Sequence, residues 1–161
     1  MTYTYCKQWF RAKKCPIDIW DDGVAQFAHE NRKAYSVLSG SIEHPAAFIE
    51  IHGDFVGVGF LDDRLREYLS YQFQEVESGR LFLTMATHRE FQGDSDNVAS
   101  GTTYIFKQNG MVDIEGEDSV AGTKSARQMT SDVSGNWESY PSFGEYESLL
   151  KVERVSPSTA T

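Results

Sequence analysis

The chain is poor in several things, and each shortage excludes something. Two cysteines in 161 residues make no disulfide framework, and without an export signal Cys6 and Cys15 are expected as free thiols. No apolar run approaches the roughly 20 residues of a membrane-spanning helix, so no membrane partner is expected. The opening TYTYCKQWF alternates but lacks the continuous apolar core of a secretory leader, which predicts a cytoplasmic protein. Cations are scarce too: 15 Lys and Arg stand against 24 Asp and Glu, a net charge of −9. Such a surface repels phosphate backbones, so nucleic acid is not expected as a partner, whereas a basic macromolecule is attracted. Solubility is the other use of that charge.

Signatures of chemistry are missing as well. There is no G-x-S-x-G, no papain-like cysteine context and no phosphate-binding glycine loop. His29, His44, His52 and His88 are the four histidines, and none has zinc-ligand spacing. VGVGF holds G-x-G inside a strand pattern and opens no helix. Asp94-Ser95-Asp96-Asn97 resembles the start of a calcium loop, but the fifth, sixth and twelfth positions hold Val98, Ala99 and Ile105 in place of an oxygen donor, glycine and glutamate. Adjacent carboxylates such as Asp62-Asp63 are expected by chance in an acidic chain. The expectation is no enzyme, no catalytic residues, no cofactor and no metal.

What the chain does have is strand pattern. Residues 1–154 read as one α+β domain and 155–161 as a frayed tail. The domain is mainly an antiparallel sheet, a meander of hairpins, with an N-terminal helix and a short C-terminal helix packed on it. Residues 2–10 alternate as a strand. From Trp20 to Leu38, the residues Trp20, Val24, Phe27, Asn31, Tyr35 and Leu38 fall on one helical face, with Asp18 as cap. AAFIEIHGDFVGVGF turns at Gly53-Asp54, which aligns Ala47, Ile49 and Ile51 with Val56, Val58 and Phe60 and sets Phe48 and Glu50 opposite Gly59 and Gly57. Those glycines either admit a bulky neighbour or mark a bend. REYLSYQFQEVE and RLFLTMATHREF turn at Ser78-Gly79 and carry apolar residues on both faces, as a covered central pair does. Residues 118–136 read as a long surface loop. SFGEYESLL predicts the closing helix, with Phe143, Tyr146 and Leu150 inward.

The hairpin TYIFKQNGMVDIEG, residues 103–116, carries the functional argument. A two-residue Asn109-Gly110 turn pairs Phe106 with Asp113 and Tyr104 with Glu115. Ile105, Val112 and Ile114 then form a core stripe, and Tyr104, Phe106, Asp113 and Glu115 share the other face. Rings supply buried contact area and carboxylates steer and pair with Arg or Lys, so this face suits a basic protein surface. The competing account puts the two rings under the N-terminal helix with the acids at the rim. Glu117 and Asp118 extend the acidic patch, which makes Tyr104, Phe106, Asp113, Glu115, Glu117 and Asp118 the candidate partner-binding residues.

FVGVGFLDDRLREYLSYQFQEVESGRLFLTMATHREF (55–91) and SGNWESYPSFGEYESLLKVER (134–154) cover a little over a third of the chain. In them it resembles bacterial polymorphic-toxin immunity proteins of the Rhs and contact-dependent type. The resemblance implies a cytoplasmic inhibitor, monomeric or weakly dimeric, that binds one cognate toxin effector domain in bacterial competition. It transfers no binding residues. Two other readings stand beside it: a small enzyme or ligand-binding domain using a cleft near Glu50 and His52, and a phage-type structural protein.

Overall fold

The computed structural model describes residues 2–154, so the expected tail 155–161 lies outside the described residues. Among the described residues eleven strands form one sheet: β1 (Tyr3–Phe10), β2 (Cys15–Trp20), β3 (Tyr35–Gly40), β4 (Pro45–His52), β5 (Phe55–Leu61), β6 (Glu67–Glu77), β7 (Arg80–Phe91), β8 (Val98–Phe106), β9 (Met111–Asp118), β10 (Thr123–Thr130) and β11 (Trp137–Ser139). Their order is β10-β9-β8-β7-β6-β5-β4-β3-β1-β2, with every pairing antiparallel. β11 pairs with Arg80–Phe82 of β7, the end of that strand which β8 leaves free. One α-helix, α1 (Asp22–Glu30), links β2 to β3 and packs on β1 and β3. None of the described helices is long and apolar enough to cross a membrane.

Side-chain alternation commits one face to the core. A single row runs across the sheet through Tyr5, Val37, Ile49, Val58, Tyr71, Ala86, Tyr104 and Ile114, each the register partner of the next. All but Tyr104 are buried, and Tyr104 packs against the cluster. α1 covers this inner face through Ala25 and Ala28, whose small side chains allow close approach. The C-terminal segment adds Phe143, Tyr146 and Leu149.

The helix is shorter than its sequence pattern predicts. Asp21, not Asp18, accepts the capping bond from the Val24 amide at 2.9 Å. Asp18 lies in β2 with φ of 51°. Arg32 takes φ of 55°, a left-handed residue that ends the helix and turns the chain into β3. Tyr35, Val37 and Leu38 are therefore strand residues buried on both sides, and Val24 and Phe27 are exposed. A short apolar run buried on two faces has no period that separates strand from helix. At the C-terminal end a single 3-10 turn, Glu147–Leu150, replaces the expected helix; Tyr146 and Leu149 are fully buried and Leu150 partly. Within 118–136, Thr123–Thr130 is a strand, hydrogen-bonded to β9 along its whole length. Its side chains, mostly polar and exposed apart from Met129, hid it: an edge strand with Lys124 and Arg127 needs no apolar stripe.

Two local arrangements hold the sheet in shape. Phe48 lies over Gly59 so closely that a Cβ there would stand 2.3 Å from the ring. The glycine thus admits a bulky neighbour. Under α1, His29 Nδ1 is 2.7 Å from the Tyr35 hydroxyl, which is 3.1 Å from that of Tyr146. This chain ties helix, sheet and C-terminal segment together. Burial, and then the charge of Arg32, lowers the His29 pKa.

Two outcomes are expected. Gly59→Ala must displace the Phe48 ring, which costs about 1–3 kcal/mol of overpacking. Gly101→Ala, where the added Cβ meets only ordinary contact at 3.6 Å, changes stability by less than about 0.5 kcal/mol; urea denaturation of both variants checks this. For His29, the fold favours the neutral ring, so its contribution is complete above the unfolded pKa of about 6.5 and declines as pH falls below it. Glu75, held low by the Arg32 guanidinium and the Gly79 amide, loses its contribution only as pH falls below about 4. Melting temperatures of wild type and His29→Gln should converge between pH 7 and 5.5.

Candidate interaction face

The turn between β8 and β9 sets which side chains reach solvent. The Gly110 amide donates to the Lys107 carbonyl at 3.0 Å and the Lys107 amide to the Met111 carbonyl at 2.9 Å. Within this turn only Gly110 has positive φ, 94°. The loop thus has three residues, Gln108, Asn109 and Gly110, the form that ends in a glycine bulge. Phe106 consequently pairs with Val112, Ile105 with Asp113, and Tyr104 with Ile114. This corrects the register expected from a two-residue Asn-Gly turn. A shift of one exchanges the faces of one strand relative to the other.

The correction separates the rings from the acids. Tyr104 and Phe106 share the inner face with Val112 and Ile114, their rings stacked 6.3 Å apart. Phe106 is buried and Tyr104 half-buried. They do not lie under α1, which packs on β1 and β3 towards the other end of the sheet. Asp113, Glu115 and Glu117 project together from the outer face of β9, about 7 Å apart along the strand. Asp113 accepts from Gln128 Nε2 at 2.8 Å and lies 3.9 Å from Lys107 Nζ. Glu115 and Glu117 are exposed. Asp118 has a different job: its Oδ1 accepts from the amides of Val120 and Ala121 and shapes the β9–β10 turn.

The outer face is covered at one end only. Cys6, Trp9, Leu38, Phe48 and Leu61 form a small second cluster there. Burial pushes the Cys6 thiol up to about 11, which keeps it protonated and unreactive at neutral pH. Both Cys6 and Cys15 are free. Beyond that cluster α1 does not reach the outer face, since it packs on the inner side of β1 and β3, and two clefts open there. One, of about 630 Å³, is bordered by Thr87, Arg89, Thr103, Glu115, Glu117 and Lys124. The other, of about 650 Å³, lies beneath the β1–β2 turn, with Trp9, Arg11, Glu50, Gly57, Glu67 and Arg89 among its walls. Arg89 belongs to both.

Glu50 does border a cleft beside Gly57, as the ligand-binding alternative expects, but its carboxylate is ion-paired with Arg11. His52 is exposed at the end of β4 and is not part of that wall. Sequence reasoning missed Arg11, Glu67 and Arg89. Contacts spanning 39 and 56 residues, as Arg11 makes, leave no local signal.

Comparison with protein-family models finds no match, and neither curated proteins nor solved structures yield one. Any functional reading therefore rests on the face itself.

A Cβ on Gly110 would stand 2.8 Å from the Ser131 carbonyl oxygen, in a backbone conformation unfavourable to other residues. Gly110→Ala is expected to cost about 2 kcal/mol, measured by chemical denaturation. An unchanged midpoint would contradict the role given to this turn.

Proposed function

We propose that this chain is a binding protein of the immunity type, which neutralises a basic toxin domain by laying the outer face of its sheet against it. The observation that carries this reading is the row Asp113, Glu115 and Glu117, aligned on the outer face of β9, away from the strands β1 and β3 on which α1 packs. Carboxylates at a spacing of two residues offer a partner a rigid line of acceptors, and a net charge of −9 adds long-range attraction to a cationic surface. The inner rings, Tyr104 and Phe106, serve as the support of that row and not as contacts. With Asp118 engaged in the β9–β10 turn, three of the six candidate residues pass from interface to scaffold in this reading. The cognate partner is taken as a secreted effector domain, met in the cytoplasm and held without cofactor or metal.

A second reading has one observation in its favour: the cleft of about 650 Å³ under the β1–β2 turn is of a size that small ligands occupy. Its main acids, Glu50 and Glu67, are paired with Arg11, so a ligand that uses either of them must first displace that guanidinium.

Co-expression with an effector domain from a neighbouring gene, scored by growth, tests the reading. The wild-type chain should rescue growth. Asp113→Asn, Glu115→Gln and Glu117→Gln combined should slow association at low salt by roughly tenfold and flatten its dependence on ionic strength. Association that is equally fast and equally salt-sensitive in the triple variant would remove the acidic row from the interface.

A further inference from the structure

The cleft beneath the β1–β2 turn already holds a guanidinium, and it is the protein's own. Arg11 Nε lies 3.0 Å from Glu67 Oε1, another of its nitrogens contacts the Glu50 carboxylate, and its guanidinium carbon stands 4.8 Å from the centre of the Phe48 ring. Two carboxylates set against one aromatic face suit a planar fork of donors much better than a point charge.

The receptor half is built and the occupant is peripheral. Glu50 and Glu67 stand on β4 and β6, and Phe48 is buried, wedged over Gly59 and stacked on Trp9 at 6.0 Å. Arg11 sits on the turn between β1 and β2 with 53% of its side chain exposed, whereas Glu67 is only 18% exposed. The same turn is fastened by Lys14, which donates to Asp96 and to the Arg64 carbonyl. Ion pairs of this exposed kind are weak in water and are readily exchanged.

We propose that Phe48, Glu50 and Glu67 form an arginine-recognition site, shielded in the free chain by Arg11, and that an arginine of the basic partner takes Arg11's place. That the arginine belongs to a toxin domain rests on the function proposed above. The site itself rests on the contacts Arg11 makes. Glu50 lies in the same outer row as Asp113, through Gly57, Gln72, Met85 and Ile105. Five strand spacings separate the two, about 24 Å, which fits within one protein–protein interface of standard size.

The test uses N-acetyl-arginine amide as probe and amide chemical shifts of the labelled full chain as readout. Arg11→Ala should bind the probe at least tenfold more tightly than wild type, with shifts centred on Phe48, Glu50 and Glu67. Arg11→Met, which keeps an apolar stem over the ring, should do the same if the alanine variant is poorly folded. Adding Glu50→Gln and Glu67→Gln should reverse the gain, and N-acetyl-lysine amide should bind at least threefold more weakly than the arginine probe. The proposal is overturned if neither Arg11 variant gains affinity, if the gain survives loss of both carboxylates, or if lysine binds equally well. Because the probe contains no partner, a toxin that fails to bind while the probe behaves as expected sinks the immunity reading and leaves the site standing.

Discussion

Across the central strands, Ile49, Val58, Tyr71, Ala86, Tyr104 and Ile114 stand side by side on one face, each held by the register of its neighbours. The residues between them must then point the other way, because a strand has only two sides. Antiparallel pairing of consecutive strands passes this choice from hairpin to hairpin, so the turns decide what the whole sheet buries. The inner face is filled by α1 and the C-terminal segment, and the outer face over β6 to β10 carries a mixture in which Met85 and Ile105 stand among Gln72, Thr103, Asp113 and Glu115. The acidic row of β9, the two clefts and the Arg11 contacts all follow from that allocation.

The parts legible in the sequence are those in which the alternation is strong and the turn is unambiguous. Ala47, Ile49 and Ile51 against Val56, Val58 and Phe60 specify the β4–β5 pair, and Gly53, with φ of 63°, suits its two-residue turn. The β6–β7 pair was legible for the same reason, although its bulges, which help to leave Leu81, Phe82 and Leu83 buried in succession, were not. β3 reads as helix because burial on both faces erases its period. β10 reads as loop because its backbone, not its side chains, makes it a strand.

The candidate site shows the same division. Asp113 and Glu115 were identifiable as neighbours on one side of β9, since two residues always separate like-facing side chains. What lay opposite them was not identifiable. Asn109-Gly110 is compatible with a turn of two residues or with a three-residue loop ending in glycine, and the choice between them decides whether Phe106 meets Asp113 or Val112. The contact of the Gly110 carbonyl with the Ser131 amide, 21 residues on, belongs to the three-residue form and is invisible locally. Arg11, Glu50 and Glu67 illustrate the limit more sharply, since a turn and two strands distant in sequence meet only once the sheet has formed.

The central claim is that the outer face, and not the helix-covered one, receives the partner. Chemical-shift mapping of the labelled chain on titration with the proposed toxin partner addresses it most directly. The account predicts the largest changes at Arg89, Asp113, Glu115 and Glu117, extending to Glu50 and Glu67. Changes gathered instead on α1 and on the segment from Phe143 to Leu150, with the outer face silent, would contradict it.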